Sequence, residues 1–339
     1  MSQAEKILVV GPSWVGDMVM AQSLFITLRN NRKNCQIDVL ALAWSSSFLD
    51  RMPQVNKIIP MPIGSGRLAL MERYSLGKKL AFACYDQVIV LPNSWKSALI
   101  PFFAGIPLRT GFIGEMRWGL LNDVRKLDKS VLTMTVQRFV ALAFQPSVKL
   151  PPECPAPELV VEGKKIKDTT KKFHLGTEKK ILVLCPGAEY GKSKRWPTGN
   201  YAAVAKHKLN EGWQVWLFGS EKDKRVTEEV NQETGGLCID FSGLTTMTEV
   251  IDLMSLAKIV VSNDSGLMHV AAALNKKVVA IYGSTDPTFT PPLNNESEVI
   301  SLGLECMPCS ARECPYGHYQ CLTGIRPERV LAAMECLSV

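Results

Sequence analysis

Two successive series of short apolar runs, each run followed by an amphipathic stretch, narrow the folds open to this chain more than any other feature. In the first series residues 7–10, 37–42, 57–60 and 87–91 read as strands, with 18–30 and 97–104 as helices between them. In the second, 181–185, 214–218, 238–241, 258–262 and 278–282 read as strands, with helical stretches such as 201–210 and 246–256. Strand–helix alternation of this kind builds a parallel sheet covered by helices on both faces. The expectation is therefore an α/β chain of two facing, Rossmann-like, doubly wound halves.

The length of 339 residues agrees, since single cores seldom grow that large and two domains of roughly 150–180 residues are the natural division. Proline and lysine crowd residues 145–180, with Pro146, Pro151, Pro152, Pro155 and Pro157 in the early part, so the linker is expected there. That gives an amino-terminal domain over 1–160 and a carboxy-terminal domain over 175–339. A last helix over 326–337, with Pro327 in its first turn, has either half open to it, including a return to the amino-terminal domain.

A net charge of +7 favours anionic partners, but the lysines and arginines are spread out. No long basic tract or aromatic-interleaved stripe suits nucleic acid, so a phosphorylated substrate or an anionic membrane surface fits better. The start, Met-Ser-Gln-Ala-Glu-Lys, lacks the basic and apolar parts of a signal peptide, and no stretch is apolar enough to span a bilayer. A cytoplasmic protein is expected. In that reducing setting the ten cysteines point to thiols or a metal site rather than to disulfides.

Three strand-end turns carry candidate chemistry. Residues 262–269, Ser-Asn-Asp-Ser-Gly-Leu-Met-His, lie where a strand ends and a helix begins. Free backbone N–H groups and the helix dipole attract an anion there, Ser265 adds a hydroxyl, and Gly266 admits close approach. An ordinary helix start capped by Asn263, Asp264 or Ser265 has the same sequence. In Pro186-Gly-Ala-Glu-Tyr-Gly-Lys192-Ser-Lys194-Arg195-Trp-Pro197, three cations sit within four positions, a density suited to a departing pyrophosphate or to a solvated basic loop. Glu221, after the strand at 214–218, is placed to meet a ribose or simply to match a helix dipole. A further turn, Tyr282-Gly-Ser-Thr-Asp286, closes over a ligand or is a plain turn.

The first strand leads into Gly11-Pro-Ser-Trp-Val-Gly-Asp17. Its glycine spacing approaches a phosphate-binding loop, but Asp17 stands where that loop needs lysine, and the dinucleotide spacing is missing too. Near a helix start the dipole favours an ionised carboxylate, which in a cleft accepts a proton from a substrate hydroxyl. A helix-capping role is the alternative. Residues 95–109, Trp-Lys-Ser-Ala-Leu-Ile-Pro-Phe-Phe-Ala-Gly-Ile-Pro-Leu-Arg, form either a buried helix or an amphipathic surface for lipid. Asn93, Lys96, Arg109 and Arg117 are candidates to face an anionic acceptor, alongside Ser13 and Trp14. Cys306, Cys309, Cys314 and Cys321, with His318 among them, suit a structural zinc site or a reduced loop.

Taken together, Gly11-Pro-Ser-Trp-Val-Gly-Asp-Met18, Pro92-Asn-Ser-Trp-Lys-Ser97, Phe102-Phe-Ala-Gly-Ile-Pro107, Pro186-Gly-Ala-Glu189, Lys194-Arg-Trp-Pro197 and Asn263-Asp-Ser-Gly-Leu-Met-His269 resemble the lipopolysaccharide heptosyltransferases of glycosyltransferase family 9. The similarity spans nearly the whole chain. It implies the GT-B architecture and transfer of L-glycero-D-manno-heptose from ADP-heptose to the first heptose of the inner core on Kdo-lipid A, with inversion at the anomeric carbon. It also implies Asp17 as catalytic base and Lys194 as the lysine that stabilises donor phosphates. The donor-binding set is then Gly187, Ala188, Glu189, Lys192, Ser193, Arg195, Glu221 and Asp264, Ser265, Gly266, Leu267, Met268 and His269.

No cofactor and no catalytic metal are expected, because no Asp-x-Asp motif occurs and basic residues serve in place of a cation. The expected partners are ADP-heptose, the lipopolysaccharide acceptor and, peripherally, the inner face of the cytoplasmic membrane, with no nucleic acid. Two other readings stay open: a nucleotide-sugar epimerase of the same paired-domain layout, and a non-catalytic protein that binds sugar nucleotide or lipid A.

Overall fold

The computed structural model describes residues 4–64 and 66–338, so part of the stretch on which the leader reading rests, and the final residue of the expected second domain, lie outside the described residues. The chain divides into two compact units, Met1–Pro157 and Glu158–Val339.

The first unit holds six strands, β1 (Lys6–Val10), β2 (Gln36–Leu42), β3 (Val55–Met61), β4 (Gln87–Val90), β5 (Leu108–Phe112) and β6 (Asp123–Arg125). They form one sheet in the order β3-β2-β1-β4-β5-β6, and every pairing is parallel. The second unit repeats the plan with β7 (Ile181–Cys185), β8 (Gln214–Leu217), β9 (Ile239–Asp240), β10 (Ile259–Asn263), β11 (Lys277–Ile281) and β12 (Ser297–Ile300), ordered β12-β11-β10-β7-β8-β9. Counted from the first strand of each unit, both sheets run 3-2-1-4-5-6, the doubly wound order of dinucleotide-binding folds. The α/β, Rossmann-like expectation is met in each unit.

Central strands of such a sheet are covered on both faces, which is why they read as unbroken apolar runs. Ile7, Leu8 and Val9 of β1 and Leu182, Val183 and Leu184 of β7 are fully buried. The short outer strands β5, β6 and β12 escaped the sequence reading because their residues are mixed: Leu-Arg-Thr-Gly-Phe in β5 and Asp-Val-Arg in β6.

Two stretches differ from expectation. Within the supposed linker the structure has a helix, Gly163–Lys172, whose buried Thr169 reaches Asp252 at 3.4 Å and whose Lys172 pairs with Glu249 at 2.5 Å. Its lysine-rich surface disguised an element that packs on the helix Met247–Met254. Residues 95–109 divide into a turn at Trp95–Ala98, a short helix at Leu99–Phe103 and the start of β5. Leu99 and Ile100 are buried, as the buried-helix reading requires, whereas Trp95 and Phe102 are partly exposed. The last helix, Pro327–Cys336, inserts Val330 and Met334 into the core of the second unit, against the helix Thr198–Asn210 and β11. Among the described residues no helix is long and apolar enough to cross a membrane.

Candidate active site

In open parallel sheets ligands bind beyond the carboxyl ends of the strands, where the strand order reverses. In the second unit that point lies between β7 and β10. β7 runs out at Cys185 into Pro186-Gly187, and β10 at Asn263 into Asp264-Ser265-Gly266. The two candidate donor turns, remote in sequence, are thus neighbours.

Asn263 joins them. It is fully buried; its Nδ2 donates to the Pro186 carbonyl at 2.7 Å, while its Oδ1 accepts the Trp196 backbone N–H at 2.9 Å and the Tyr201 hydroxyl at 3.0 Å. The basic turn is therefore anchored on both sides of Lys194. Lys194 Nζ pairs with Asp264 Oδ2 at 2.5 Å, and the Thr285 hydroxyl donates to the same oxygen at 2.6 Å. Asp264 is 5% exposed and the Lys194 side chain 14%, so this pair is shielded from water on most sides. Ser265 occupies the N-cap position of the helix Gly266–Ala273 without a side-chain cap bond, its hydroxyl lying 3.1 Å from that of Ser262. The helix start thus presents first-turn N–H groups beside Lys194 and Asp264, an arrangement suited to an anion.

The turn is sterically tight. A Cβ at Gly187 would lie 2.4 Å from the Asp223 carboxyl carbon, and one at Gly191 would lie 2.4 Å from the Arg312 carbonyl oxygen. Gly187 is needed for close approach, and Gly191 both for close approach and for its φ of 156°. Ser193 shows what the loop 310–312 does. Its N–H donates to the Arg312 carbonyl at 3.2 Å, its hydroxyl donates to the Ala311 carbonyl, and it accepts the Ser284 hydroxyl at 3.0 Å.

Several expected donor contacts take other places. Ser193, 1% exposed, is a buried tie between loops, so its hydroxyl is committed to protein. Met268 is fully buried and accepts the Tyr282 hydroxyl at 3.4 Å, which puts it in the core. His269 is 5% exposed; burial, outweighing the opposing pull of Asp264, lowers its pKa to about 4, so it is neutral at physiological pH and offers no charge to a phosphate. Arg195 donates to the Ala188 carbonyl at 3.2 Å and lies 3.5 Å from Asp223. Glu189 pairs with Lys222 and Glu221 with Lys224, all on the surface. Lys192 is exposed, and Ser265, Gly266 and Leu267 are half-buried at the helix start.

In the first unit the order reverses between β1 and β4. Gly11 follows β1, and Asp17 sits in the first turn of the helix Val15–Asn31, half-buried. Ser13 and Trp14 are exposed just before it, and Asn93 and Lys96 follow β4 across the crevice. A cavity of about 180 Å³ opens here, lined among others by Gly11, Ser13, Ser94, Lys96 and Arg73. Arg73 was not foreseen. It is 5% exposed, and its guanidinium bonds the carbonyls of Leu68, Lys96 and Arg67 at 2.6, 3.1 and 3.2 Å. A lone arginine early in an amphipathic helix gave no signal of this.

Arg117 is taken up by the fold rather than turned to the cavity. It is fully buried and donates to the carbonyls of Pro92, at 2.6 Å, and Phe112, while its Nε has no partner among the described residues. Burial pushes the guanidinium down to about 10, still charged at neutral pH. Arg109 is likewise turned to the Leu120 and Ile106 carbonyls, both at 2.7 Å, and lies over the Phe102 ring. Both arginines hold loops.

The cysteine segment, read as either a structural zinc site or a reduced loop, gathers its side chains in one place. Cys306, Cys309, Cys314, Cys321 and His318 line one small cavity, but among the described residues no group of three or more His, Cys, Asp or Glu is arranged to hold a metal ion. Burial and the neighbouring thiols of Cys306, Cys309 and Cys314 raise the Cys321 thiol. Cys321 packs into the core beside Leu322, Cys309 is exposed, and the N–H groups of Tyr319, Tyr316, His318 and Gly317 hold the Cys314 thiol below its ordinary value.

The profile of glycosyltransferase family 9 (heptosyltransferase) matches residues 73–320. The chain belongs to glycosyltransferase family 9. This family 9 enzyme is 47% identical to lipopolysaccharide heptosyltransferase 2 of Escherichia coli K12, with 98% of each chain covered. It is 46% identical to lipooligosaccharide heptosyltransferase 2 of Haemophilus influenzae, over 96% of this chain and 97% of that one. Its fold superposes on the solved structure of E. coli ADP-heptose LPS heptosyltransferase II with a TM-score of 0.87 at 45% identity, covering 98% of both. A glycosyltransferase accounts for the site better than a passive binding protein does.

Proposed function

We propose that this glycosyltransferase moves L-glycero-D-manno-heptose from ADP-heptose to the first heptose of the lipopolysaccharide inner core, carried on Kdo-lipid A, with inversion at the anomeric carbon. The observation that carries the reading is Lys194 beside the uncapped start of the helix Gly266–Ala273, at the strand-order reversal of the second unit. Relatives named heptosyltransferase 2, alike over nearly the whole chain, supply the substrate class.

The reaction is read as one displacement. The Asp17 carboxylate removes the proton of the acceptor hydroxyl as that oxygen bonds to the anomeric carbon from the face opposite the nucleotide. The bond from the anomeric carbon to the diphosphate oxygen breaks, and its electron pair leaves with ADP. Lys194 and the first-turn N–H groups at Gly266 meet the charge that grows on the departing diphosphate. The base that takes the acceptor's proton belongs to unit one and the residues assigned to the diphosphate belong to unit two.

Ser13, Ser94 and Lys96, which line the first unit's cavity, are the side chains we assign to the anionic acceptor, together with Trp14 and Asn93 beside them in sequence. Because that acceptor is lipid-borne, we place the enzyme in the cytoplasm, working at the inner face of the membrane. Incubation with ADP-heptose, with and without heptosyl-Kdo-lipid A, followed by mass spectrometry and NMR of the product, tests the scheme. The expected product gains one heptose in the opposite anomeric configuration to the donor. Donor turnover indifferent to acceptor would instead favour the epimerase reading.

A further inference from the structure

Asp264 poses a physical problem for any anionic donor. It is a carboxylate, 5% exposed, at the mouth of the site where a diphosphate is to bind, and its Oδ2 has two partners, Lys194 Nζ at 2.5 Å and the Thr285 hydroxyl at 2.6 Å. A diphosphate that recruits Lys194 takes away the charged partner. A buried carboxylate left without a donor is costly, and one free to turn toward the phosphates repels them. Thr285 is the donor that does not leave.

Its placement is fixed independently of Asp264. Ser284, one residue before it, donates its N–H to the Ser193 carbonyl at 3.3 Å and its hydroxyl to the Ser193 hydroxyl at 3.0 Å. The Ser310 N–H in turn donates to the Ser284 carbonyl at 2.8 Å. Ser193 directly precedes Lys194, so the backbones carrying the lysine and the threonine are bolted together next to the point where their side chains share one oxygen. Asp264 itself is held by its N–H to the Ile281 carbonyl at 3.0 Å.

We propose that Thr285 is a positioning residue for donor binding: its hydroxyl retains the Asp264 carboxylate while Lys194 shifts its ammonium to the diphosphate. The inference rests on the reading of Lys194 as the donor's phosphate ligand. Removing the Thr285 hydroxyl makes the release of Lys194 more costly, so the donor binds less tightly although Thr285 touches no part of it.

The test measures ADP binding by calorimetry and steady-state kinetics on the full chain with Thr285→Val, Thr285→Ser, Lys194→Ala and the Thr285→Val/Lys194→Ala pair. Thr285→Val should weaken ADP by about tenfold, the scale of one hydrogen bond to a charged group. It should raise the donor KM with the acceptor KM unchanged. Thr285→Ser, which keeps the hydroxyl, should stay within about twofold of the parent. In the Lys194→Ala background the valine substitution should add almost nothing, because the two act through one pair. Thr285→Ala replaces valine should the extra methyl crowd the turn.

A valine variant with parental ADP affinity overturns the inference, as does a loss that simply multiplies with that of Lys194→Ala. A change confined to thermal stability overturns it as well. If Lys194→Ala itself binds ADP as the parent does, the donor reading of Lys194 falls first and takes this inference with it.

Discussion

The side-chain oxygen of Asn263 accepts the backbone N–H of Trp196 across 67 residues of chain, at 2.9 Å, and so fixes the turn that carries Lys194 to the end of β10. The same oxygen receives the Tyr201 hydroxyl, and the amide nitrogen reaches the Pro186 carbonyl. One buried amide thereby ties together the segments around the proposed donor site.

Asn263→Ala leaves the buried Trp196 N–H and the Pro186 carbonyl without this partner, and the Tyr201 hydroxyl with only the Cys185 carbonyl at 3.4 Å. The variant should lose about 3 kcal/mol of unfolding free energy, the scale of several unmet buried hydrogen bonds. Urea denaturation followed by tryptophan fluorescence reads this directly. ADP affinity of the folded fraction should fall as well, since Lys194 is no longer held.

Asp17→Asn keeps the shape of the side chain and removes its basicity. Turnover should fall by about two to four powers of ten, the usual contribution of a general base, while ADP binding stays near the parent value. Coupled detection of released ADP, together with calorimetry, separates the two quantities. A variant that turned over at the parental rate would remove Asp17 from the mechanism.

His269 gives a pH dependence whose sign follows from burial. Its pKa in the folded protein is lowered from 6.5 to about 4, so between those values the unfolded chain binds a proton that the folded chain refuses. Stability contributed by this residue is present above pH 6.5 and lost as pH falls toward 4, with a slope of up to about 1.4 kcal/mol per pH unit. Urea melts at pH 5 and pH 7 should show a larger difference for the parent than for His269→Gln. Equal differences would mean that the imidazole is charged in the folded state.

Arg117→Met tests whether that residue serves the acceptor or the fold. The carbonyls of Pro92 and Phe112 lose their donor, so stability should fall by about 2–4 kcal/mol. The acceptor KM, measured below the transition, should stay at the parental value. A raised acceptor KM at unchanged stability would return Arg117 to the acceptor site.

The central strands were legible because burial on both faces forces continuous apolar runs, as in Ile-Leu-Val-Leu-Cys of β7. Their strand-end turns followed, and with them Lys194 and Asp264. What the chain concealed was pairing at a distance: Lys194 and Asp264 stand 70 positions apart, and Thr285 lies in a turn with no distinguishing composition. Arg117 misled for the opposite reason, since a cation near an aromatic loop reads as surface whether it faces solvent or carbonyls. The helix Gly163–Lys172 was hidden by lysines that face water while one threonine holds the inner side.

Each sheet carries its own full set of six strands and its own reversal of strand order. The Lys194–Asp264 pair, with Asn263 and Thr285 around it, is therefore assembled within the second unit alone. Under the proposed function, the activated sugar and the lipid-borne sugar are met by separate sheets, and evolution can retune one while leaving the other intact.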